Sequence, residues 1–314
     1  MILVTGATGF IGRYLVSKLL ESGQKVRALV RSETRSVILP KSTQIVVGDI
    51  LDLSSLKNAC DGVDGVIHLA STIREVGDCT FQSLNYHGTC NVISAIKETG
   101  TKRLVYTSAV GSTSNPSIPY LHSRWMAEQE VIRSDIPSTI LRFSVGFGTG
   151  DQFFNQIAAL VKLLPIVPVV GDGKALFQPI HVDDVARCIS EAYIDDDKIS
   201  QTVDIGGPEH YTYDEIVEVI SETLGAKTLK MHTPIRLMSP VAMLLETLVP
   251  SPPVTPEQLK ILKLNNITDL DSVVRHFGFE PRPVRGNIGY IQQIGLVDAL
   301  KMNIGFMPNH IRDH

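Results

Sequence analysis

The sequence predicts an α/β protein built on a doubly wound parallel sheet, with a smaller C-terminal α/β domain. Three observations predict it. Short apolar runs alternate with helical patterns over the first two-thirds of the chain. Within each run the residues are apolar throughout rather than at every second position, and a glycine-rich turn joins the first run to the first helix. A parallel sheet needs continuous apolar strands because helices cover both of its faces. Right-handed crossovers then favour a doubly wound strand order.

The individual elements follow from the same patterns. Strands are predicted at 2–5, 26–30, 45–47, 65–70, 103–107, 138–142, 178–182 and 202–205. Helices are predicted from the glycine turn to about 22, and at 53–60, 80–99, 120–134 and 183–193. We expect the sheet domain to comprise 1–142 plus 177–206, and a smaller substrate or partner domain to comprise 143–176 plus 207–314.

Local signals in the second half of the chain predict two helix starts and one apolar helix. Asp183 or Asp184 is expected to cap the helix that begins there. Thr212 and Glu215 have the spacing of a capping box. The apolar run 237–249 is too short to span a bilayer. We interpret it as a packed helix, with a membrane-surface or partner-docking helix as the alternative.

The composition excludes several classes of function. The 314 residues are 43% hydrophobic and 20% charged, which is typical of a globular protein, and a net charge of −4 argues against a nucleic-acid binder. The four cysteines form no CxxC pair, so we expect no metal site. His181 is interpreted as a strand residue with its own partner rather than a metal ligand. Without a signal-peptide pattern we expect a cytoplasmic protein, with peripheral association at a membrane or in a protein complex as the alternative. The sequence does not predict an oligomeric state.

Residues 6–12, Gly-Ala-Thr-Gly-Phe-Ile-Gly, predict a loop that binds the pyrophosphate of a dinucleotide. Gly6 allows the tight turn, Gly9 lets the backbone approach the pyrophosphate, and Gly12 lets the helix pack closely on the strand. The helix N-terminus offers N–H groups and a partial positive charge to the anion. The spacing is GxxGxxG rather than the dehydrogenase GxGxxG. The expected cofactor-binding residues here are Gly6, Thr8, Gly9, Phe10, Ile11 and Gly12.

Basic residues follow the second predicted strand, which ends at Arg31 with Arg35 close behind. An NAD site usually places an acid there for the ribose 2′-hydroxyl. A guanidinium can instead bind a 2′-phosphate, which a carboxylate would repel. We therefore expect NADP(H) to be preferred, with NAD(H) as the alternative cofactor and a solvated basic patch as the alternative interpretation. Asp49 and Ile50 follow the third strand and would flank the adenine, although Asp49 is equally suited to a turn before a helix.

These residues and several longer segments resemble the short-chain dehydrogenase/reductase superfamily, in its extended and atypical branches. The segments are TGATGFIG at 5–12, GDILD at 48–52, VIHLAS at 66–71, NYHGTCNV at 85–92, Tyr120 with Arg124, and HVDDVA at 181–186. The stretches 146–160 and 171–186 are most similar to the group containing the nucleotide-binding accessory subunit of respiratory complex I. The resemblance covers nearly the whole chain and implies a Rossmann fold.

The resemblance implies catalytic roles for Tyr120 and Arg124. In the family, the tyrosine of a Tyr-x-x-x-Lys motif is the general acid/base, and a spacing of four places both side chains on one helical face. Arg124 supplies the positive charge and a ribose contact but cannot relay a proton. A chance pair on an amphipathic helix is the alternative. The family's serine or threonine falls at Ala109, so Ser108, or else Ser112, is the third catalytic candidate.

Further cofactor contacts are implied by the resemblance alone. Asn85 matches the family's asparagine and would support the site through water, unless it only satisfies a local backbone group. The remaining implied positions are Ala70, Ser71, Thr107, Tyr120, Arg124 and Phe143.

Two functions are therefore expected. One is an NADP(H)-dependent oxidoreductase or epimerase-like enzyme acting on a carbonyl or hydroxyl substrate of unknown identity, which the helix with Tyr120 favours. The other is a non-catalytic NADP(H)-binding accessory or assembly protein of a respiratory or membrane-associated complex, which the departures at Ala109 and Arg124 favour.

Overall fold

The computed structural model describes residues 1–248 and 254–312, and the chain divides into two compact units. The first unit comprises Met1–Phe143 and Val182–Ile205, and the second comprises Ser144–His181 and Gly206–His314. The predicted boundaries differ from these units mainly at residues 177–181, which belong to the second unit. They do so because Phe177 pairs with Tyr211, and Ile180 with Gly146, in small sheets of that unit.

The chain forms strands and helices in the following order. The strands are β1 (Ile2–Thr5), β2 (Val26–Val30), β3 (Gln44–Val47), β4 (Gly65–His68), β5 (Arg103–Ala109), β6 (Ser138–Phe143), β7 (Gly146–Phe147), β8 (Ile166–Val170), β9 (Leu176–Phe177), β10 (Ile180–His181), β11 (Thr202–Ile205), β12 (Tyr211–Thr212) and β13 (Leu229–Thr233). The helices are α1 (Phe10–Glu21), α2 (Leu53–Cys60), α3 (Gly88–Thr99), α4 (Pro119–Arg133), α5 (Phe153–Leu163), α6 (Val182–Ile194), α7 (Tyr213–Leu224), α8 (Ile235–Leu248), α9 (Pro256–Ile261), α10 (Ser272–Phe277), α11 (Leu296–Asn303) and α12 (Asn309–Arg312).

A seven-stranded parallel sheet forms the centre of the first unit, in the order β11-β6-β5-β4-β1-β2-β3. The doubly wound parallel sheet predicted from the continuous apolar runs is therefore confirmed. The chain builds outward from β1 to β3, and then crosses to β4 on the other side of β1. The carboxyl ends of β1 and β4 thus form the switch point where such sheets bind ligands.

The core of the first unit lies between the sheet and its helices. Leu3, Val66 and Leu104 contribute from three neighbouring strands, and all three are fully buried. Leu56 and Val92 cover them from α2 and α3. This packing holds the strands in place, and with them the residues at their carboxyl ends.

The helix predicted at 80–99 is divided into two parts. Phe81–His87 is a π-helical segment, and α3 follows it without a break. Thr80 starts the segment with a capping box, because its Oγ1 accepts a hydrogen bond from the Ser83 N–H. A π-helical turn is wider than an α-helical one and is frequent at functional sites. Here the segment holds Asn85, which is fully buried.

The second unit is also α/β. Three two-stranded sheets pair β7 with β10, β9 with β12, and β8 with β13. The strand predicted at 178–182 is thus only Ile180–His181, and it pairs outside the seven-stranded sheet. The capping box of Thr212 and Glu215 is confirmed at the start of α7. The cap predicted at Asp183 or Asp184 is wrong in position, since both residues lie in the first turn of α6.

The apolar run 237–249 forms most of α8, with Pro240 inside the helix, while residue 249 lies outside the described residues. In the described ranges, no helix is both long enough and apolar enough to cross a bilayer. His181 is a strand residue, as expected. Its ring lies 5.1 Å from the Phe147 ring, and its Nδ1 lies 3.3 Å from Nη1 of Arg282.

Candidate functional site

The glycine loop between β1 and α1 depends on Gly6 and Gly12 for its shape. Gly6 has a φ of +72°, and a Cβ there would lie 2.8 Å from the Ala70 nitrogen. A Cβ on Gly12 would lie 2.2 Å from the Gly6 carbonyl oxygen. The N–H of Gly9 donates to that same oxygen at 2.9 Å and closes the turn. The first and third glycines of the motif are therefore required by backbone geometry.

Gly9 is different, because it is exposed and starts α1 without any side-chain cap. Its φ of −79° and ψ of 177° are open to any residue, and a Cβ would meet only the Gly6 oxygen, at 3.1 Å. The first N–H groups of a helix, here those of Phe10 and Ile11, have no acceptor within the helix. A side chain at Gly9 would therefore occupy the space in front of these N–H groups. Without one, the N–H groups are open to an anion such as a pyrophosphate.

Arg31 and Arg35 lie just beyond the carboxyl end of β2, on the same edge of the sheet. Both are exposed, and Arg35 lies in a short 3₁₀ segment, Glu33–Ile38. Among the described residues, neither guanidinium has a hydrogen-bonded or ion-paired partner. Their charges are therefore available to an anionic ligand.

Asp49 and Ile50 form the turn that leads into α2. The Asp49 carboxylate accepts the Leu51 N–H at 2.9 Å, and the Asp49 N–H donates to Ser55 Oγ at 3.0 Å. Ile50 is buried, and its side chain fills the space beside Gly88. Both residues thus have structural roles, and their contact with an adenine stays a prediction.

Three other expected cofactor positions lie at or just after the carboxyl ends of strands in the same sheet. Ala70 and Ser71 follow β4, and the Ala70 N–H lies 3.4 Å from Thr5 Oγ1. Phe143 ends β6, where it is buried and its carbonyl accepts the Val110 N–H. Parallel strands bring these positions to one edge of the sheet, at the end where β1 enters the glycine loop.

Tyr120 is held in place by the π-helical segment. Its ring lies 5.7 Å from the Phe81 ring, edge to face. The Asn85 amide donates to Ser123 Oγ at 3.0 Å, and Ser123 Oγ donates to the Tyr120 carbonyl at 2.7 Å. Asn85 also accepts the Thr72 N–H at 2.8 Å. Asn85 thus connects the first turn of α4 to the loop after β4. Ser123, three residues after Tyr120, is a positioning residue that the sequence analysis missed.

Arg124 is buried, with only 3% of its surface exposed. Its Nη2 donates to the Thr107 carbonyl at the end of β5, and its guanidinium carbon lies 5.0 Å from the centre of the Tyr106 ring. Its Nε has no hydrogen-bond partner among the described residues. Burial raises the pKa of Tyr120, and the Arg124 charge opposes that rise without cancelling it. Tyr120 is therefore protonated at neutral pH.

Ser108 is buried in β5 and belongs to a short hydroxyl chain. Ser112 Oγ donates to the Ala109 carbonyl at 2.7 Å, so the Ser108 hydroxyl is the donor in its 3.1 Å contact with Ser112. Its proton is therefore committed within the protein. A role for Ser108 in binding a substrate oxygen stays a prediction.

A buried histidine that the sequence reasoning missed links the end of β1 to the π-helical segment. His68 Nδ1 lies 2.6 Å from Thr5 Oγ1, and Nε2 lies 3.1 Å from Thr89 Oγ1, which in turn donates to the Asn85 carbonyl. Burial, and then the Arg124 charge, lower the pKa of His68 to about 3. The ring is therefore neutral, with Nε2 as its donor to Thr89. The motif VIHLAS contained this residue, but no periodicity in the sequence indicated its partners.

The described part of the chain has no group of three or more His, Cys, Asp or Glu residues able to hold a metal ion. All four cysteines are free thiols.

Comparisons with known proteins agree with this architecture. The chain is 28% identical to the mitochondrial NADH dehydrogenase (ubiquinone) 1 alpha subcomplex subunit 9 of Arabidopsis thaliana, over 84% of this chain and 69% of that protein. It is 27% identical to the photosystem II assembly factor Ycf39 of Synechocystis, over 71% of this chain and 68% of that protein. The structure of an NADPH-dependent quinone oxidoreductase from Escherichia coli shares its fold, with a TM-score of 0.75, 19% identity, and coverage of 93% of this chain and 99% of that one.

The family model of the NAD-dependent epimerase/dehydratase family matches residues 2–206. This range contains the first unit except for Met1, with its glycine loop, its seven strands and the helix that carries Tyr120. The chain therefore belongs to the NAD-dependent epimerase/dehydratase family.

Proposed function

We propose that this protein binds NADP(H) in its first unit and is an oxidoreductase or epimerase-like enzyme acting on a carbonyl or hydroxyl group, with Tyr120 as the acid/base. The glycine loop would hold the pyrophosphate on the α1 N-terminus, where Gly9 leaves the backbone open. Arg31 and Arg35 would bind the 2′-phosphate. When bound, NADP(H) supplies hydride chemistry at its nicotinamide.

The proton chemistry belongs to Tyr120. In the reducing direction its protonated hydroxyl donates a proton to the substrate carbonyl oxygen, and in the oxidising direction the tyrosinate takes a proton from the alcohol. The raised pKa of Tyr120 suits the acid role at neutral pH. At neutral pH Tyr120 is therefore in the protonated form that reduction of a carbonyl uses. Arg124 acts through its charge, because a guanidinium does not release a proton in proteins.

The observation that carries the cofactor choice is the pair of exposed guanidiniums after β2, Arg31 and Arg35, which have no hydrogen-bonded or ion-paired partner within 1–248 and 254–312. A charge-assisted contact contributes about 1.5–3 kcal/mol, which corresponds to roughly ten- to a hundredfold in affinity. Arg31 is exposed to solvent, so the lower end of that range applies. We expect NADPH to bind about tenfold more tightly than NADH.

Calorimetric titration of both cofactors tests this expectation. Arg31→Asp should reverse the preference, because it replaces an attraction for the 2′-phosphate with a repulsion. Arg236→Asp makes the same charge change on an exposed residue of the second unit and should leave both affinities unchanged. Equal dissociation constants for NADPH and NADH in the wild-type protein would contradict the assignment of Arg31.

A second candidate function is a non-catalytic NADP(H)-binding accessory or assembly protein, peripheral to a membrane-associated complex. The observation that favours it is the altered site: Arg124 is buried against Thr107, Ala109 stands at the serine position, and the Ser108 proton is already used. The Arabidopsis relative carries the name of a mitochondrial NADH dehydrogenase subunit, and the Synechocystis relative that of an assembly factor. A cofactor that binds tightly but is never oxidised would support this function.

A further inference from the structure

Helix α11 has an apolar face that the described residues of the second unit do not cover. Ala299 and Met302 lie on its buried side, within the hydrophobic core of the unit. The opposite side carries Leu296, Val297, Leu300 and Ile304, followed by Phe306, and these five side chains are 57–67% exposed. We name these five residues the C-terminal apolar ridge. Such exposure of neighbouring large apolar side chains marks an interaction surface.

Helix α11 is therefore apolar on both of its sides, and only one of them is packed against the protein. Leu296, Leu300 and Ile304 recur every four residues and so share one face. Val297 widens this face. Helix propensity and the core explain the buried side of α11, but neither explains why the outer side is apolar.

The charged side chain beside the ridge is Lys301, which is exposed at the edge of the same face of α11. The acid within α11 is Asp298, whose carboxylate accepts the Gly295 N–H at 3.0 Å and lies 3.3 Å from Nε2 of His310. Its side chain is only 17% exposed, so its carboxylate faces the protein rather than the ridge. An apolar helix face with a lysine at its edge is complementary to an anionic lipid surface.

A protein partner fits the ridge less well than a bilayer surface does. A stable protein interface uses roughly 20–30 residues on each side, whereas the ridge has five. Protein hot spots are enriched in Trp, Tyr and Arg and depleted in Leu and Val. The ridge instead consists of projecting aliphatic side chains and one phenylalanine, which need no matching pocket.

We propose that the C-terminal apolar ridge docks the protein on an anionic bilayer surface, with Leu296, Leu300 and Phe306 entering the headgroup boundary and Lys301 facing lipid phosphates. This surface differs from the segment 237–249, and the proposal does not depend on NADP(H) binding. All residues of the ridge belong to the second unit, and the proposal concerns that unit within the full-length chain.

Co-sedimentation with lipid vesicles tests the proposal. The full-length protein should pellet with vesicles of equal parts phosphatidylcholine and phosphatidylglycerol, and much less with phosphatidylcholine alone. Leu296→Ser/Leu300→Ser should lower the apparent affinity by more than about tenfold, because two side chains lose their burial. Lys301→Glu should lower it by roughly tenfold, and only for the anionic vesicles.

The matched control is Val37→Ser/Ile132→Ser, which removes two exposed apolar side chains from the first unit. It should bind vesicles as wild type does, and thermal unfolding should show that all variants remain folded. Failure of the wild-type protein to pellet would overturn the proposal. So would unchanged binding of the Leu296→Ser/Leu300→Ser variant, or equal binding to neutral and anionic vesicles.

Discussion

Two glycines of the same loop should respond in opposite ways to substitution. Gly9→Val should abolish cofactor binding and leave the fold intact, whereas Gly12→Ala should destabilise the fold. Gly9 has an extended backbone that valine adopts readily, and its Cβ would meet only one atom, the Gly6 oxygen, at 3.1 Å. A slight shift relieves that contact, but the side chain then occupies the space where a pyrophosphate must approach.

The expected magnitudes follow from these distances. Gly9→Val replaces a tolerated helix cap with a poor one, at a cost of about 1 kcal/mol. A Cβ on Gly12 would lie 2.2 Å from the Gly6 oxygen and 2.7 Å from the Ala7 backbone, so backbone atoms must move. Overpacking of this kind costs about 1–3 kcal/mol or more, which lowers the unfolding temperature by roughly 2–10 °C.

Calorimetric titration with NADPH and thermal unfolding of both variants form the assay. We expect no measurable binding and a near-normal unfolding temperature for Gly9→Val. For Gly12→Ala we expect a clearly lower unfolding temperature. Retained NADPH binding in a folded Gly9→Val protein would refute the placement of the pyrophosphate, and a fully stable Gly12→Ala protein would refute the packing argument.

Further predictions concern Arg124 and Asp151. Arg124→Lys should keep or raise the rate of carbonyl reduction, while Arg124→Met should lower both rate and NADPH affinity. Because Arg124 lowers the pKa of Tyr120, Arg124→Met should also move the alkaline limb of the pH–rate profile to higher pH, and an unmoved limb would argue against the charge effect. Asp151 is buried just before α5, where its carboxylate accepts the Phe154 N–H. Burial raises the pKa of Asp151 from 3.8 to about 6, although the hydrogen bond that Tyr290 donates to it acts to lower that pKa. The protonated form is therefore the stabilising one, and its contribution is lost as pH rises through about 6. Urea unfolding should show a loss of up to about 3 kcal/mol between about pH 4 and pH 7, and Asp151→Asn should remove this slope; an unchanged slope in that variant would contradict the assignment.

Much of the first unit could be predicted because its signals are local. The strands at 2–5, 26–30 and 202–205 coincide with β1, β2 and β11, since each is a short apolar run between turn residues. The helix at 53–60 likewise coincides with α2. The glycine loop could also be predicted, because its geometry depends on residues that are close together in the sequence.

The misplaced elements depend on contacts between distant parts of the chain. The strand at 178–182 was predicted in the sheet domain. It instead pairs Ile180 with Gly146 in the second unit, and nothing in its sequence indicates that pairing. The segment 80–99 was predicted as one regular helix. Its π-helical part could not be predicted, because Asn85 in that part contacts Ser123, which lies 38 residues away. A pattern of hydrophobicity carries no information about either pairing.

The candidate site was predicted in its residue types but not in its contacts. The resemblance to the family's Tyr-x-x-x-Lys motif pointed to Tyr120 and Arg124, but the burial of Arg124 against Tyr106 and Thr107 arises only when α4 packs on β5. His68 was missed for the same reason. Its partners Thr5 and Thr89 lie 63 and 21 residues away.

Consumption of NADPH by the wild-type protein and by Tyr120→Phe tests the proposed chemistry most directly. The loss of absorbance of the reduced cofactor should be followed with a panel of aldehydes, ketones and quinones at neutral pH. We expect the wild-type protein to oxidise NADPH with at least one of them, and Tyr120→Phe to be about 10²–10⁴-fold slower with little change in NADPH affinity. Equal rates for the two proteins would contradict the role of Tyr120, and no oxidation with any carbonyl would contradict the catalytic function itself.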